Sequence, residues 1–157
     1  MITTEQSITI DASIESVWKY VQDIRKWAML FPGCRECTVI NAQDSHWNLK
    51  VGTGGLVRTV KVQVHVDKWD GPERVDFSYS LEGDPVEGGG SYVASRKTPL
   101  QTEVSMTVRV AGSGPMAPLW EALSRPLLPR LAKSFAGQLK MEIEKADVRS
   151  CNSKEAG

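Results

Sequence analysis

From Thr38 to Val110 the chain alternates apolar and polar side chains with a period of two, as strands with one dry and one wet face do. Trp47, Leu49 and Val51 share one parity, as do Val60, Val62, Val64 and Val66, then Val75, Phe77, Tyr79 and Leu81, then Val104, Met106, Val108 and Val110. The other parity carries Lys61, Gln63, His65 and Asp67, then Asp76, Ser78, Ser80 and Glu82, then Glu103, Ser105, Thr107 and Arg109. Turn chemistry punctuates the run at Gln43-Asp44-Ser45, Gly52 to Gly55, Asp70-Gly71-Pro72, Gly83-Asp84-Pro85, Gly88 to Gly90 and Lys97-Thr98-Pro99. These connections are too short for crossover helices, so the pattern predicts an antiparallel meander and excludes a parallel βαβ arrangement.

A short strand, Ser7 to Asp11, precedes the meander. Asp11-Ala12-Ser13 then caps a helix with the stripe Ile14, Val17, Trp18 and Val21, and Asp23 caps a second short helix that ends at Pro32-Gly33. In the last third the period becomes helical. Leu119, Leu123, Leu127, Leu131, Phe135, Leu139 and Ile143 recur at every fourth position, predicting an amphipathic helix of roughly 30 residues. Pro126 and Pro129 fall inside it, where each removes a backbone hydrogen bond and favours a bend. The apolar face of the sheet has no second sheet to cover it, and the terminal helix is the only apolar surface left. The predicted fold is therefore α+β: a curved antiparallel sheet of about seven strands wrapped around a long C-terminal helix, with two short helices after the first strand. One domain spans residues 1–149, and 150–157 form a disordered polar tail.

Composition narrows the function. Lysine plus arginine and aspartate plus glutamate each number 19 in 157 residues, so the formal net charge is zero and no basic stripe is available to follow a phosphate backbone. Nucleic acid is not an expected partner. The first residues lack the basic and apolar regions of a signal peptide, and no apolar run approaches the ~20 residues of a membrane span, so a cytoplasmic protein is expected. Cys34 and Cys37 form a C-x-x-C pair, but no second pair follows and His46 and His65 lack metal-ligand spacing, so the two read as incidental thiols and no metal or cofactor is expected.

No nucleophile elbow, zinc-binding helix or phosphate-binding loop occurs, and Gly52 to Gly55 and Gly88 to Gly90 read as hairpin turns or bulges because no helix follows either. No catalytic residue is assigned. What remains is an apolar wedge between sheet and helix. Val60, Val62, Val64, Phe77, Tyr79, Leu81, Met106 and Val108 form one wall; Trp120, Leu123, Leu127 and Leu131 form the other; Trp27, Met29 and Phe31 sit near one mouth. Tyr79 and Tyr92 supply hydroxyls, and Arg58, which shares parity with Val60, is the cation that would hold a carboxylate or carbonyl. The residue pattern by itself fits a filled core as well as a cavity.

The order strand, two small helices, meander and terminal helix resembles the helix-grip fold of the START-like or Bet v 1-like (SRPBCC) superfamily. Within it, Ile8 to Ala12 with Val17-Trp18, the segment Leu30-Phe31-Pro32-Gly33-Cys34 and the stretch Gly83 to Gly90 look like the G-type accessory proteins of carbon monoxide dehydrogenase. That resemblance implies a cavity rather than a filled core, and a lipophilic, quinone-like ligand. It also implies an accessory role to a molybdenum hydroxylase of the carbon monoxide dehydrogenase type, with at most peripheral membrane contact because the chain ends in a polar tail. Two alternatives stay open: a cyclase or aromatase that uses inward Arg58, Tyr79 and Tyr92, and an interaction module with a filled core and an exposed patch at Trp27, Met29, Leu30 and Phe31.

Overall fold

The computed structural model describes residues 2–31, 34–53, 56–83, 85–115 and 117–156, with side chains except at 51–53, 56–58, 123 and 147–156. In chain order the elements are β1 (Ile2–Ile10), α1 (Ile14–Val21), α2 (Ile24–Leu30), β2 (Cys34–Val39), β3 (Asp44–Thr53), β4 (Leu56–Asp70), β5 (Arg74–Leu81), β6 (Val86–Thr98), β7 (Gln101–Gly112) and α3 (Ala117–Ala156). The strands form one seven-stranded antiparallel sheet in the order β1-β7-β6-β5-β4-β3-β2. The meander runs β2 to β7, and β1 closes on the last strand, Ile2 opposite Val110 and Ile10 opposite Thr102. This is the helix-grip arrangement.

Local chemistry explains the two short helices. The Ser13 hydroxyl accepts a hydrogen bond from the Ser16 amide at 3.2 Å, and an Asp23 carboxylate oxygen accepts one from the Arg25 amide at 3.0 Å, so each side chain satisfies a first-turn donor that the helix leaves orphaned. Strand parity holds as expected: Val60, Val62, Val64 and Val66 are buried while Lys61, Gln63 and His65 between them are exposed.

Four details differ from the sequence pattern. β1 is longer than Ser7 to Asp11, because pairing with β7 rather than apolar alternation holds its polar first half. The turn before β3 centres on Asn41, whose side-chain oxygen accepts from the amides of Gln43 and Asp44 at 2.8 Å each. Gly88, Gly89 and Gly90 are no turn but the interior of β6, paired on both sides with β5 and β7. The reason is close approach: a Cβ on Gly88 would lie 2.0 Å from the Arg109 carbonyl oxygen and 2.6 Å from the Tyr79 hydroxyl, and one on Gly90 would meet the Thr107 carbonyl at 2.1 Å and the Phe77 ring at 2.7 Å. Glycine here lets two aromatic rings lie down on the strand.

The fourth detail is α3, which is 40 residues long and continues through the polar segment up to Ala156. Four-residue spacing turns about 40° per step away from a straight stripe, so the run from Leu119 to Ile143 cannot face one surface throughout. Leu119 is 49% exposed, whereas Phe135, Ala136, Leu139 and Ile143 are buried in the main core. That half of the helix is pinned to β1 by polar contacts as well: Lys140 Nζ donates to the Thr9 carbonyl at 2.8 Å and to Glu144 at 2.6 Å, and Glu144 accepts from the Asp11 amide at 3.0 Å.

Candidate functional site

Between the concave face of the sheet and α3 lies a cavity of about 250 Å³. The inward parity of β3, β4, β5 and β7 builds its floor, which includes Val60, Val62, Val64, Phe77, Tyr79, Leu81, Met106 and Val108. Trp120, Leu127 and Leu131 of α3 form its roof, and Trp27 and Phe31 of α2 and its C-cap close one end. The floor residues belong to the set that strand parity assigned to the wedge, and the others to the helical stripe and the mouth named with it.

Other expectations are corrected. Met29 is 77% exposed and points away from the cavity, because α2 turns Trp27, Ala28 and Leu30 inward. Tyr92 is fully buried but does not line the cavity; its ring stands against Trp27 at 5.7 Å between centroids. The side chains of Arg58 and Leu123 lie outside the described residues. Trp27 and Leu30 being buried, Met29 stands out singly, and no contiguous exposed apolar patch forms there among the described residues.

Sequence reasoning missed several lining residues. Trp47 and Leu49 share the inward parity of Val60 and were legible on that ground; they line the cavity beside Val66, Trp69 and Val75. Phe135 joins them at the aromatic end, where its ring lies 5.6 Å from Trp27 and 5.9 Å from Phe31, and Phe31 lies 6.1 Å from Trp47. Ser124 was hidden by its polarity. It sits four residues from both Trp120 and Leu128, hence on their face of α3, and this spacing was the available signal.

Four of the donors around the cavity are directed elsewhere. Trp27 donates its indole N–H to the Val21 carbonyl, Trp47 to the Ser45 hydroxyl at 2.9 Å and Trp69 to the Ala42 carbonyl at 3.0 Å, so these rings offer the cavity carbon surface. The Tyr79 hydroxyl donates to the Arg109 carbonyl at 2.7 Å. Burial raises its pKa well above the ordinary phenol value, against a smaller opposing effect of Arg109, and burial alone does the same for Tyr92. Both phenols are neutral at any physiological pH. No charged side chain lines the cavity among the described residues.

The remaining candidate chemistry lies away from this space. Cys34 and Cys37 are half-buried, and burial pushes both thiols up, which disfavours the reactive thiolate. His65 projects from the outer face, with Nδ1 2.6 Å from Asp44, a hydrogen bond that raises the imidazole pKa and lowers that of the carboxylate. Among the described residues no three histidine, cysteine, aspartate or glutamate side chains gather as a metal site.

Residues 1–144 match the family described as polyketide cyclase, dehydrase and lipid transport. The chain belongs to that family. Solved structures agree with the cyclase and lipid transport family in fold. A conserved protein from Geobacillus kaustophilus superposes with a TM-score of 0.80 at 18% identity, covering 92% of this chain and 97% of that one. A START superfamily protein from Mycobacterium smegmatis gives 0.67 at 13% identity over 88% and 97% of the two chains. The Zhui aromatase/cyclase from Streptomyces sp. R1128 gives 0.64 at 16% identity over 92% and 94%. At these identities the likeness speaks for the fold alone. No curated protein shows significant similarity to the chain.

Proposed function

We propose that this protein is a non-catalytic binder of a lipophilic small molecule, held between the concave sheet and α3. The observation that carries the reading is a cavity of about 250 Å³ with apolar walls, whose indole and phenol donors are largely tied to protein acceptors. A site arranged in this way supplies desolvated surface and shape rather than proton transfer. A cyclase or aromatase reaction needs polar groups converging on one point, and Tyr92 stands outside the cavity while the Tyr79 proton is committed to Arg109. The Pro32-Gly33-Cys34 resemblance supports a finer reading, in which the ligand is quinone-like and the protein serves a molybdenum hydroxylase of the carbon monoxide dehydrogenase type.

Ala132 lines the cavity and is 6% exposed, so a larger side chain there has only the cavity to enter. Ala132→Phe adds six carbons, roughly 150 Å³ on the scale of a benzene-sized void. Native mass spectrometry after mild exposure to quinones and a lipid extract is expected to show a bound small molecule on the wild type. In Ala132→Phe the bound fraction falls at least about tenfold while the fold, followed by circular dichroism, persists. A wild-type protein that retains nothing from either mixture overturns the reading.

A further inference from the structure

Size, lining and the fate of each donor together restrict what the cavity accepts. A protein void of about 150 Å³ takes up benzene, so a buried ligand needs about 25 Å³ per heavy atom. On that scale 250 Å³ holds roughly ten heavy atoms, two fused aromatic rings or their equivalent. A diacyl lipid or a tetracyclic polyketide exceeds this severalfold.

The cavity also has two unlike ends. Rings crowd one end, where Trp27, Phe31, Trp47 and Phe135 meet at centroid distances of 5.6 to 6.1 Å. At the other end Trp120 and Leu128 pack with Tyr79, Val86 and Val110 in a cluster separate from the main core. Ser124 lies on the face of α3 shared by Trp120 and Leu128, which puts its hydroxyl at the Tyr79 end. Because Tyr79 donates to Arg109, its oxygen retains only acceptor capacity, while a serine hydroxyl both donates and accepts. An ionised ligand would meet no countercharge among the described lining residues and would lose its hydration.

Building on the binding role above, we propose that the cavity selects a neutral, hydroxyl-bearing molecule the size of a bicyclic aromatic, its rings against Trp27, Trp47 and Phe135 and its hydroxyl donating to Tyr79 beside Ser124. For a quinone-like ligand this means that the reduced, hydroxyl-bearing form is preferred over the carbonyl-only form. The hydroxyl end, not the aromatic end, sets specificity.

Calorimetric titration at neutral pH with naphthalene, naphthol, methoxynaphthalene, naphthoate and pyrene tests each part. Naphthol is expected to bind about fivefold to tenfold more tightly than methoxynaphthalene, which is one carbon larger and cannot donate, and naphthalene, which lacks the oxygen, separates the effect of size from that of donation. Naphthoate is expected to bind at least about a hundredfold more weakly than naphthol, and pyrene not at all. In the Tyr79→Phe, Ser124→Ala double variant the naphthol to methoxynaphthalene ratio falls to about one; should that variant not fold, the wild-type ratio stands as the test. Equal affinity for naphthol and methoxynaphthalene, tight binding of naphthoate, or tight binding of pyrene overturns the selectivity and leaves the binding role standing. Failure of naphthalene and naphthol alike to bind overturns this selectivity as well, and the binding role falls with it only if the quinone and lipid mixtures also leave nothing on the protein.

Discussion

Tyr92 and Tyr79 face the same interior from neighbouring strands, and the protein treats their hydroxyls in opposite ways. Tyr79 gives its proton to a carbonyl on β7, whereas the Tyr92 hydroxyl is buried without a hydrogen-bond partner among the described residues. An unpaired buried hydroxyl costs on the order of 1–3 kcal/mol relative to an apolar group of the same shape. Tyr92→Phe is therefore expected to stabilise the protein by about 1 kcal/mol, raising Tm by about 3 °C for a domain of this size. Ligand affinity should change less than about twofold, because the ring does not line the cavity. A lower Tm would show that the hydroxyl has a partner after all. Parity made Tyr79 legible as an inward residue, and Tyr92 was named beside it for its hydroxyl. Parity could not separate them, because Trp27 on α2 covers Tyr92, and where a helix lands on a sheet is set by tertiary packing rather than by alternation along one strand.

At the scale of elements, the unusual one is α3, with Pro126 and Pro129 three residues apart inside a single helix. Each ring removes an amide that would otherwise reach back four residues, and an interior proline costs about 3 kcal/mol relative to alanine. Both positions are exposed, so neither ring is retained for packing in the core. Replacing both with alanine is expected to raise stability by about 2 kcal/mol or more in chemical denaturation and to slow ligand exchange, since the roof of the cavity stiffens. Unchanged exchange rates would show that ligand enters without movement of this segment. The helix itself was legible from its period, and the two short helices before the meander from their caps at Ser13 and Asp23. The stretch Gly88 to Gly90 was not, because three glycines signal a turn in one dimension, and only the rings of Phe77 and Tyr79 on the adjacent strand show why a strand needs them.

Over the whole molecule, the cavity divides the apolar interior into unequal parts. The main core takes in α1, α2 and the second half of α3 through Phe135, Ala136, Leu139 and Ile143, while the first half of α3 is anchored mainly by Leu128 among Val86, Val110 and Trp120. That sheet and helix would enclose apolar space was legible from the sequence. Whether the space is filled was not, since it depends on summed side-chain volumes across seven strands and a helix, to which no local pattern has access. The division has a consequence for dynamics. A segment with few buried apolar contacts opens at lower free energy than the global unfolding of the domain, so the first half of α3 is the least protected part of the roof. A ligand in the cavity adds contacts to that half through Trp120, Ser124, Leu127 and Leu131. At a free concentration about a hundredfold above Kd it stabilises the bound state by about 2.7 kcal/mol. In hydrogen exchange, naphthol is therefore expected to slow the amides from Trp120 to Leu131 by up to about a hundredfold, with little change from Phe135 to Ile143 if those amides open independently of the roof. Uniform slowing along α3 would mean that the helix opens as one unit, and slowing confined to its second half would place the ligand elsewhere.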